Sequence, residues 1–478
     1  MQLTAPLLHA EAHPSSTPSS AEITALKRLD SLKVEPNQAA IKTPAVQEFR
    51  TQSGTRVLFV AAPELPIVDV RLVFDAGSAR DSALKAQHYG TAAMTAALLD
   101  EGTSTQTTDQ IAANFERLGV QYSASAYRDM FMVSLRSLSD HSVLDPAVEQ
   151  LLSLLKDAQV PEASFQRVMQ QTKIGLAQQK DSPGATTSIR FWQELYGTHP
   201  YAQPTSGLLT NIDQIKPADI RAFKDRFLVA HNLAIAIVGQ MSLAEAQALS
   251  ERITTSLPQG TAAPALPKPA ATVARTVYVP FESSQSHVMI GTLGITRDNP
   301  DLPTLNLGNE LFGGSDFSAL LMKELREKRG LTYGAYSGFS PMHSNGPFII
   351  TYSTRADQTD TSIAVARQTL RNYIDHGVSD ADFEEAKQGL LSGYPLSLAS
   401  NANVVGLLGA MGFYNLPRSY LADYPLKLGT LTPTQVKETF GRYLNPDAML
   451  TVVVGKTKPS DHPVDATPVV VAVAPAKP

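Results

Sequence analysis

Cysteine is absent from the 478 residues, which excludes a disulfide framework, a thiolate metal site and a cysteine nucleophile. Any metal held by the chain would need histidine and carboxylate ligands. Charge is sparse as well. Charged residues make up 18%, and 40 Lys plus Arg face 45 Asp plus Glu for a net charge of −5. No basic run is long enough to track a phosphate backbone, which argues against nucleic acid as a partner. Long apolar runs are also missing. Nothing approaches the roughly 18 to 20 residues that span a bilayer, and the stretch from Val469 to Ala474 is closed off by Pro468 and Pro475. The first residues, Met1 to Pro6, carry neither the basic nor the apolar part of a secretory signal. The expectation is a cytoplasmic chain or an exported one whose signal has been trimmed. The Ala-, Pro- and Ser-rich composition of residues 1 to 20 favours the periplasm, and the lack of arginine there speaks against a mitochondrial origin.

What is present is enough for ordinary cores: 43% of residues are hydrophobic, and the length calls for two or three domains. Residues 1–44 read as a flexible arm and 457–478 as a flexible tail. Between them, the Pro/Ala/Gly-rich stretch 256–271 reads as a linker that separates domains 45–255 and 272–456. The two halves repeat one another. Gly119-Val120-Gln121-Tyr122 falls on Gly330-Leu331-Thr332-Tyr333 at an offset of 211, and Ala234 to Gly239 falls on Leu450 to Gly455 at an offset of 216. Two further segments match in order between these, which marks a duplicated domain.

Alternating stretches such as Val68 to Phe74 and Phe348 to Tyr352 predict strands, and helices are expected over Thr107 to Leu118, Ser142 to Asp157, Thr361 to His376 and Asp380 to Ser392, the last with Asp380 as N-cap. Long helices beside meandering strands predict an α+β fold of two homologous domains.

Gly90 to Thr103 follows a strand that ends in Asp75-Ala76-Gly77-Ser78. Here the sequence resembles the pitrilysin/insulinase family of zinc peptidases, and the resemblance covers about residues 45 to 455. In that family the helix after the Ala-Gly-Ser strand carries His-x-x-Glu-His and leads to Gly-Thr. Two histidines at i and i+4 share a helix face and one zinc, and the glutamate activates the bound water. The frame set by Gly90 and Gly102-Thr103 puts Ala93, Ala96 and Ala97 at those positions. The family's third ligand, a downstream glutamate, falls on Lys173-Ile174-Gly175, and no acidic residue occurs between Glu162 and Asp181. The resemblance therefore implies vacant zinc-motif positions and no metal in this chain. His9-Ala10-Glu11-Ala12-His13 has a ligand-like spacing but lies in the arm with its glutamate misplaced, and His88 and His199 read as structural.

In the second half, Leu325-Arg326-Glu327 through Gly330-Leu331-Thr332-Tyr333 resembles the family's other hallmark, whose Arg and Tyr reach across a chamber to the zinc site of the opposing domain. That implies Arg326 and Tyr333 as groups that hold a substrate carbonyl and an oxyanion. Gly313, Gly314 and Ser315 precede it as a tight turn and a substrate-binding segment. The resemblance further implies a bowl or clamshell shape and a non-catalytic subunit that pairs with a homologous zinc-bearing peptidase subunit around a peptide substrate. A scaffold subunit and a peptide-binding protein without catalytic contribution are the alternatives.

Overall fold

The alternation from Val68 to Phe74 forms a strand deep in a six-stranded sheet of the computed structural model, which describes residues 41–314 and 318–460. Ser315, the 9–13 histidine pair, residues 1–40 of the arm and 461–478 of the tail lie outside the described residues. The strands of this sheet are β1 (Gln47–Arg50), β2 (Arg56–Ala61), β3 (Ile67–Phe74), β4 (Gln121–Ala126), β5 (Phe131–Leu138) and β6 (Leu233–Gly239), in the order β1-β2-β6-β3-β5-β4. The second sheet is built from β7 (Arg275–Pro280), β8 (Gln285–Leu293), β9 (Thr332–Phe339), β10 (Pro347–Arg355) and β11 (Leu450–Gly455), ordered β7-β11-β8-β10-β9. Leaving β1 aside, the two orders are the same. In each sheet one parallel pair (β2 with β6, β7 with β11) is followed by antiparallel neighbours, and β4 and β9 are the corresponding edges. The expected duplicated α+β fold is present.

The first half carries α1 (Thr91–Leu98), α2 (Thr108–Leu118), α3 (His141–Asp157), α4 (Glu162–Gln179), α5 (Pro183–Tyr196), α6 (Pro217–Phe227) and α7 (Leu243–Ser256). The second carries α8 (Leu302–Gly313), α9 (Thr359–His376), α10 (Asp380–Ser397), α11 (Asn401–Phe413), α12 (Tyr420–Thr430) and α13 (Pro433–Tyr443). Helix starts follow side-chain caps. Thr107 and Gln110 close a capping box at α2, and Thr432 and Gln435 do the same at α13. The expected cap at Asp380 is corrected by one residue. The Ser379 hydroxyl accepts the Asp382 N–H, and Asp380 is the first helical residue, where its negative charge suits the helix N-terminus.

Each sheet has helices on both faces, which explains the uninterrupted apolar runs of β6 and β11: every residue of both strands is buried. One face of the first sheet packs α3 and α7 through Leu144, Leu151, Leu155 and Ile253. Its other face is covered from the second half, where Val404, Val405, Leu408 and Met411 of α11 meet Leu58, Val60, Ala236 and Val238. The second sheet mirrors this. Its own helices bring Leu305, Phe312, Leu370 and Phe440 to one face, while Phe191 and Leu195 of α5, from the first half, press on Leu450, Val452 and Val454. The halves thus exchange one helix each.

Polar contacts reinforce the exchange. The buried Asp129 accepts the hydroxyl of Tyr201, the hydroxyl of Tyr414 at 3.0 Å and the backbone N–H of His343 at 2.8 Å. Residues 258–274 have no regular structure, but they are strapped to the first half: Ala230 N–H reaches Pro258 O and Ala263 N–H reaches Asn232 Oδ1, both at 2.9 Å. Among the described residues no single helix is long and apolar enough to cross a membrane. The α10–α11 pair reaches that hydropathy only jointly and is bent by 104°, with the apolar side of α11 laid on the first sheet.

Candidate functional site

Helix α1 begins at Gly90, whose φ of 100° lies in the left-handed region and whose Cα comes close to the Ser206–Gly207 backbone. Its first turn is held by Asp81, which accepts the Gly90 N–H at 2.7 Å and the Ala92 N–H at 2.8 Å. Asp81 is fully buried, and burial pushes its carboxyl up to about 8 against the opposing pull of those two hydrogen bonds. The helix lies beside edge strand β4 and against α4, where Met94 and Leu98 pack on Phe165, Val168, Met169 and Leu176.

The three motif positions do not share one environment. Ala97 is exposed and Ala93 half-buried, one turn apart on one face, whereas Ala96 belongs to the first core. On α4, Lys173 is paired with Asp213, Ile174 is exposed and Gly175 has no side chain. Methyl groups, a paired ammonium and a glycine offer zinc no ligand, so the residues at this helix do not fit the metal. Among the described residues no three His, Cys, Asp or Glu side chains gather as a metal site.

Both nearby histidines have structural surroundings. His88 is buried, with Nδ1 2.9 Å from Ala86 O and Nε2 3.5 Å from the Asp219 carboxylate. For His199, Nδ1 accepts the Tyr201 N–H at 3.1 Å, which assigns the proton to Nε2, 2.9 Å from Pro267 O in the connecting stretch. Burial lowers the His199 pKa and favours that neutral form.

The second site is built on a different geometry. Residues Met322–Glu327 form a π-helical turn, and the Lys328 N–H reaches back five residues to Lys323 O. Arg326 lies on this turn with its guanidinium carbon 4.7 Å from the centre of the Tyr333 ring, within cation–π range. Gly330 makes the intervening turn with φ of 59°. Tyr333, the second residue of edge strand β9, leaves 86% of its surface exposed, the highest value among the large exposed apolar and aromatic side chains of the described residues. The pairing of β9 with β10 shifts register between Tyr352 and Thr354, so that Tyr333 and Gly334 together stand against Ser353, and such a bulge re-aims the side chains within it.

Gly313 and Gly314 are both buried and have a packing reason of their own. A Cβ on Gly313 would stand 2.4 Å from Ser337 Oγ, and one on Gly314 would stand 2.5 Å from Glu310 Oε2. Gly313 lets the end of α8 close onto β9, and Gly314 leaves room for the Glu310 side chain of α8. With φ of −61° and extended ψ, Gly314 is glycine here for space, and the tight turn expected from the sequence needs no special backbone there.

Sequence reasoning missed a cavity of about 350 Å³ next to Tyr333. It is lined by His287, Ser353 and Tyr336 of the second sheet and by Gly184 and Thr187 of α5. Strand alternation could have put His287, Thr351, Ser353 and Tyr336 on one face, but nothing in the sequence brings α5 to them from the other half.

Two family descriptions match the chain: insulinase (peptidase family M16) over residues 56–206, and peptidase M16 inactive domain over residues 214–390. A solved structure described as the peptidase M16 inactive domain from Pseudomonas fluorescens is 40% identical, with a TM-score of 0.83 over 87% of this chain and 100% of that one. The chain belongs to the M16 peptidase family. A Helicobacter pylori relative called a non-peptidase homolog is 22% identical over 351 residues, covering 72% of this chain and 79% of that protein. One from Bacillus subtilis, called an uncharacterized zinc protease, is 21% identical over 355 residues, covering 74% and 85%. Within M16 this chain is a non-catalytic member.

Proposed function

We propose that the chain is the substrate-binding subunit of a two-chain M16 peptidase, supplying Arg326 and Tyr333 to a reaction at the metal site of a homologous, zinc-bearing partner. The observation that carries this reading is the contrast within one chain between a helix stripped of ligands and an Arg/Tyr pair held outward. A phenol that leaves 86% of its surface exposed at a strand edge gains little from burial, so its position is explained by what it can meet. Its hydroxyl can donate to the oxyanion that forms when a peptide carbonyl is attacked. The guanidinium beside it can hold a second carbonyl in a planar fork. The peptide backbone would add as an extended strand to a sheet edge, and β9, which carries Tyr333, is one such edge.

The test is peptide hydrolysis by the purified chain alone and mixed with a His-x-x-Glu-His homologue from the same source. Activity is expected only in the mixture, and Arg326→Ala and Tyr333→Phe should lower it without weakening association. Full turnover by both variants would overturn the catalytic role and leave a scaffold subunit. Cleavage by the chain alone would overturn the division of labour.

A further inference from the structure

The cavity beside Tyr333 has a lining unlike that of the packing faces around it. Its floor is the stretch of the second sheet at the N-terminal end of α5, where Gly184 and Thr187 face it. There His287 pairs across the strands with Ser353, whose Oγ lies 3.0 Å from His287 Nδ1. The other ring nitrogen, Nε2, has no partner among the described residues and remains as a hydrogen-bonding atom. Gly184 in the first turn of α5 lies over the imidazole: a Cβ there would stand 3.8 Å from Nδ1. Met289 and Thr351 continue the floor with half-buried apolar and methyl surface, and the rim carries Tyr333 and Tyr336, exposed by 86% and 45%.

No Asp, Glu, Lys or Arg lines this cavity, and burial keeps His287 toward its neutral form by lowering its pKa. A charged side chain entering it would lose water with no counter-charge in the lining, Arg326 lying outside it against the Tyr333 ring. An aromatic ring would find two phenol rings to pack against, and about 350 Å³ is room enough for one. A polar tip on that ring would meet the His287–Ser353 pair. We propose that this cavity is the specificity pocket of the chain, taking a tyrosine-like side chain, aromatic with a hydrogen-bonding tip, from the peptide that Arg326 and Tyr333 engage. This rests on the proposed function, but it is a statement about binding by this chain's own residues.

Fluorescence anisotropy on the full chain without any partner tests it, with labelled, capped short peptides that differ only in a central Tyr, Phe, Asp or Ala. The Tyr peptide should bind tightest, ahead of Phe by about fivefold, the worth of one net hydrogen bond, with Asp and Ala weaker still. His287→Ala should erase the Tyr-over-Phe margin, and Ser353→Ala should reduce it, which guards against a folding defect in the first variant. Tyr336→Ala should weaken Tyr and Phe peptides together and leave the Ala peptide unchanged. Equal binding of Ala and Tyr peptides, no binding of the Tyr peptide, or a Tyr-over-Phe margin that survives both His287→Ala and Ser353→Ala would overturn the proposal. Failure of the trans-catalytic reading would look different: unchanged turnover by Arg326→Ala and Tyr333→Phe in the mixture, with this peptide ranking intact.

Discussion

At equivalent places in the two halves, a helical turn hands over to the edge strand of a sheet, and each carries a pair of side chains at the same spacing. In the first half the pair is Phe115 and Tyr122; at an offset of 211 the second half has Arg326 and Tyr333. Gly119 and Gly330 turn the chain between them with left-handed φ of 65° and 59°. The outcome differs. Phe115 and Tyr122 stack with centroids 5.0 Å apart and planes 6° from parallel, inside the first core. The Tyr122 hydroxyl is buried without a hydrogen-bond partner among the described residues, and burial, helped by the nearby Asp100, raises its pKa well above the usual phenol range. In the second half a cation replaces the phenylalanine, a π-turn replaces the regular end of α2, and a register shift turns the tyrosine out. One copy of the motif was settled by packing. The other was left facing outward, the arrangement a binding group requires.

That contrast can be broken first by stability. Phe115→Ala should cost about 3–5 kcal/mol in urea unfolding, whereas Arg326→Ala, at a half-buried residue outside the core clusters, should cost less. Activity should invert the ranking. In the mixture with a zinc-bearing homologue, Tyr333→Phe should lower kcat about a hundredfold, and Tyr122→Phe should leave it unchanged.

The helices next to these motifs sharpen the comparison further. Helix α1 starts on the buried Asp81, whereas α8 starts at the partly exposed Asp301, which makes no side-chain cap. Because the folded Asp81 value is raised, the stabilisation linked to its proton is full below the ordinary value of 3.8 and is lost as pH rises toward about 8. Between those limits stability should fall with pH by up to about 1.4 kcal/mol per unit from this group, and Asp81→Asn should flatten that slope. Smallest of all, Tyr122→Phe removes a buried, unpartnered hydroxyl and should leave stability unchanged or raise it by about 1 kcal/mol.

Much of this was legible in the sequence because it depends on local pattern. The alternation of Val68 to Phe74, the helix expected over Thr107 to Leu118 and the paired glycines 119 and 330 each act within a few residues, and so does the frame that placed Ala93, Ala96 and Ala97 on one helix. The rest depends on contacts between the halves. Nothing in Pro183 to Tyr196 says that its apolar side rests on β11 and not on its own sheet, so the cavity over His287 could not be foreseen. The π-turn at Arg326 and the bulge at Tyr333 also depend on more than local pattern. They change how Arg326 and Tyr333 are presented, in a segment that packs against α9 and pairs with β10. Asp129 looks like an ordinary turn residue, yet the second half delivers Tyr414 and His343 to it.

The crossing of α5 and α11 bears on how such a chain can change over generations. Each sheet borrows one wall from the other copy, so neither copy can be deleted, shortened or separately expressed without baring an apolar sheet face in what remains. Side chains that perform chemistry on a surface are under no such bond. A lineage can therefore lose the ligands of one copy by a few point changes and still be obliged to carry the whole copy, which persists as the counterpart that keeps the other folded.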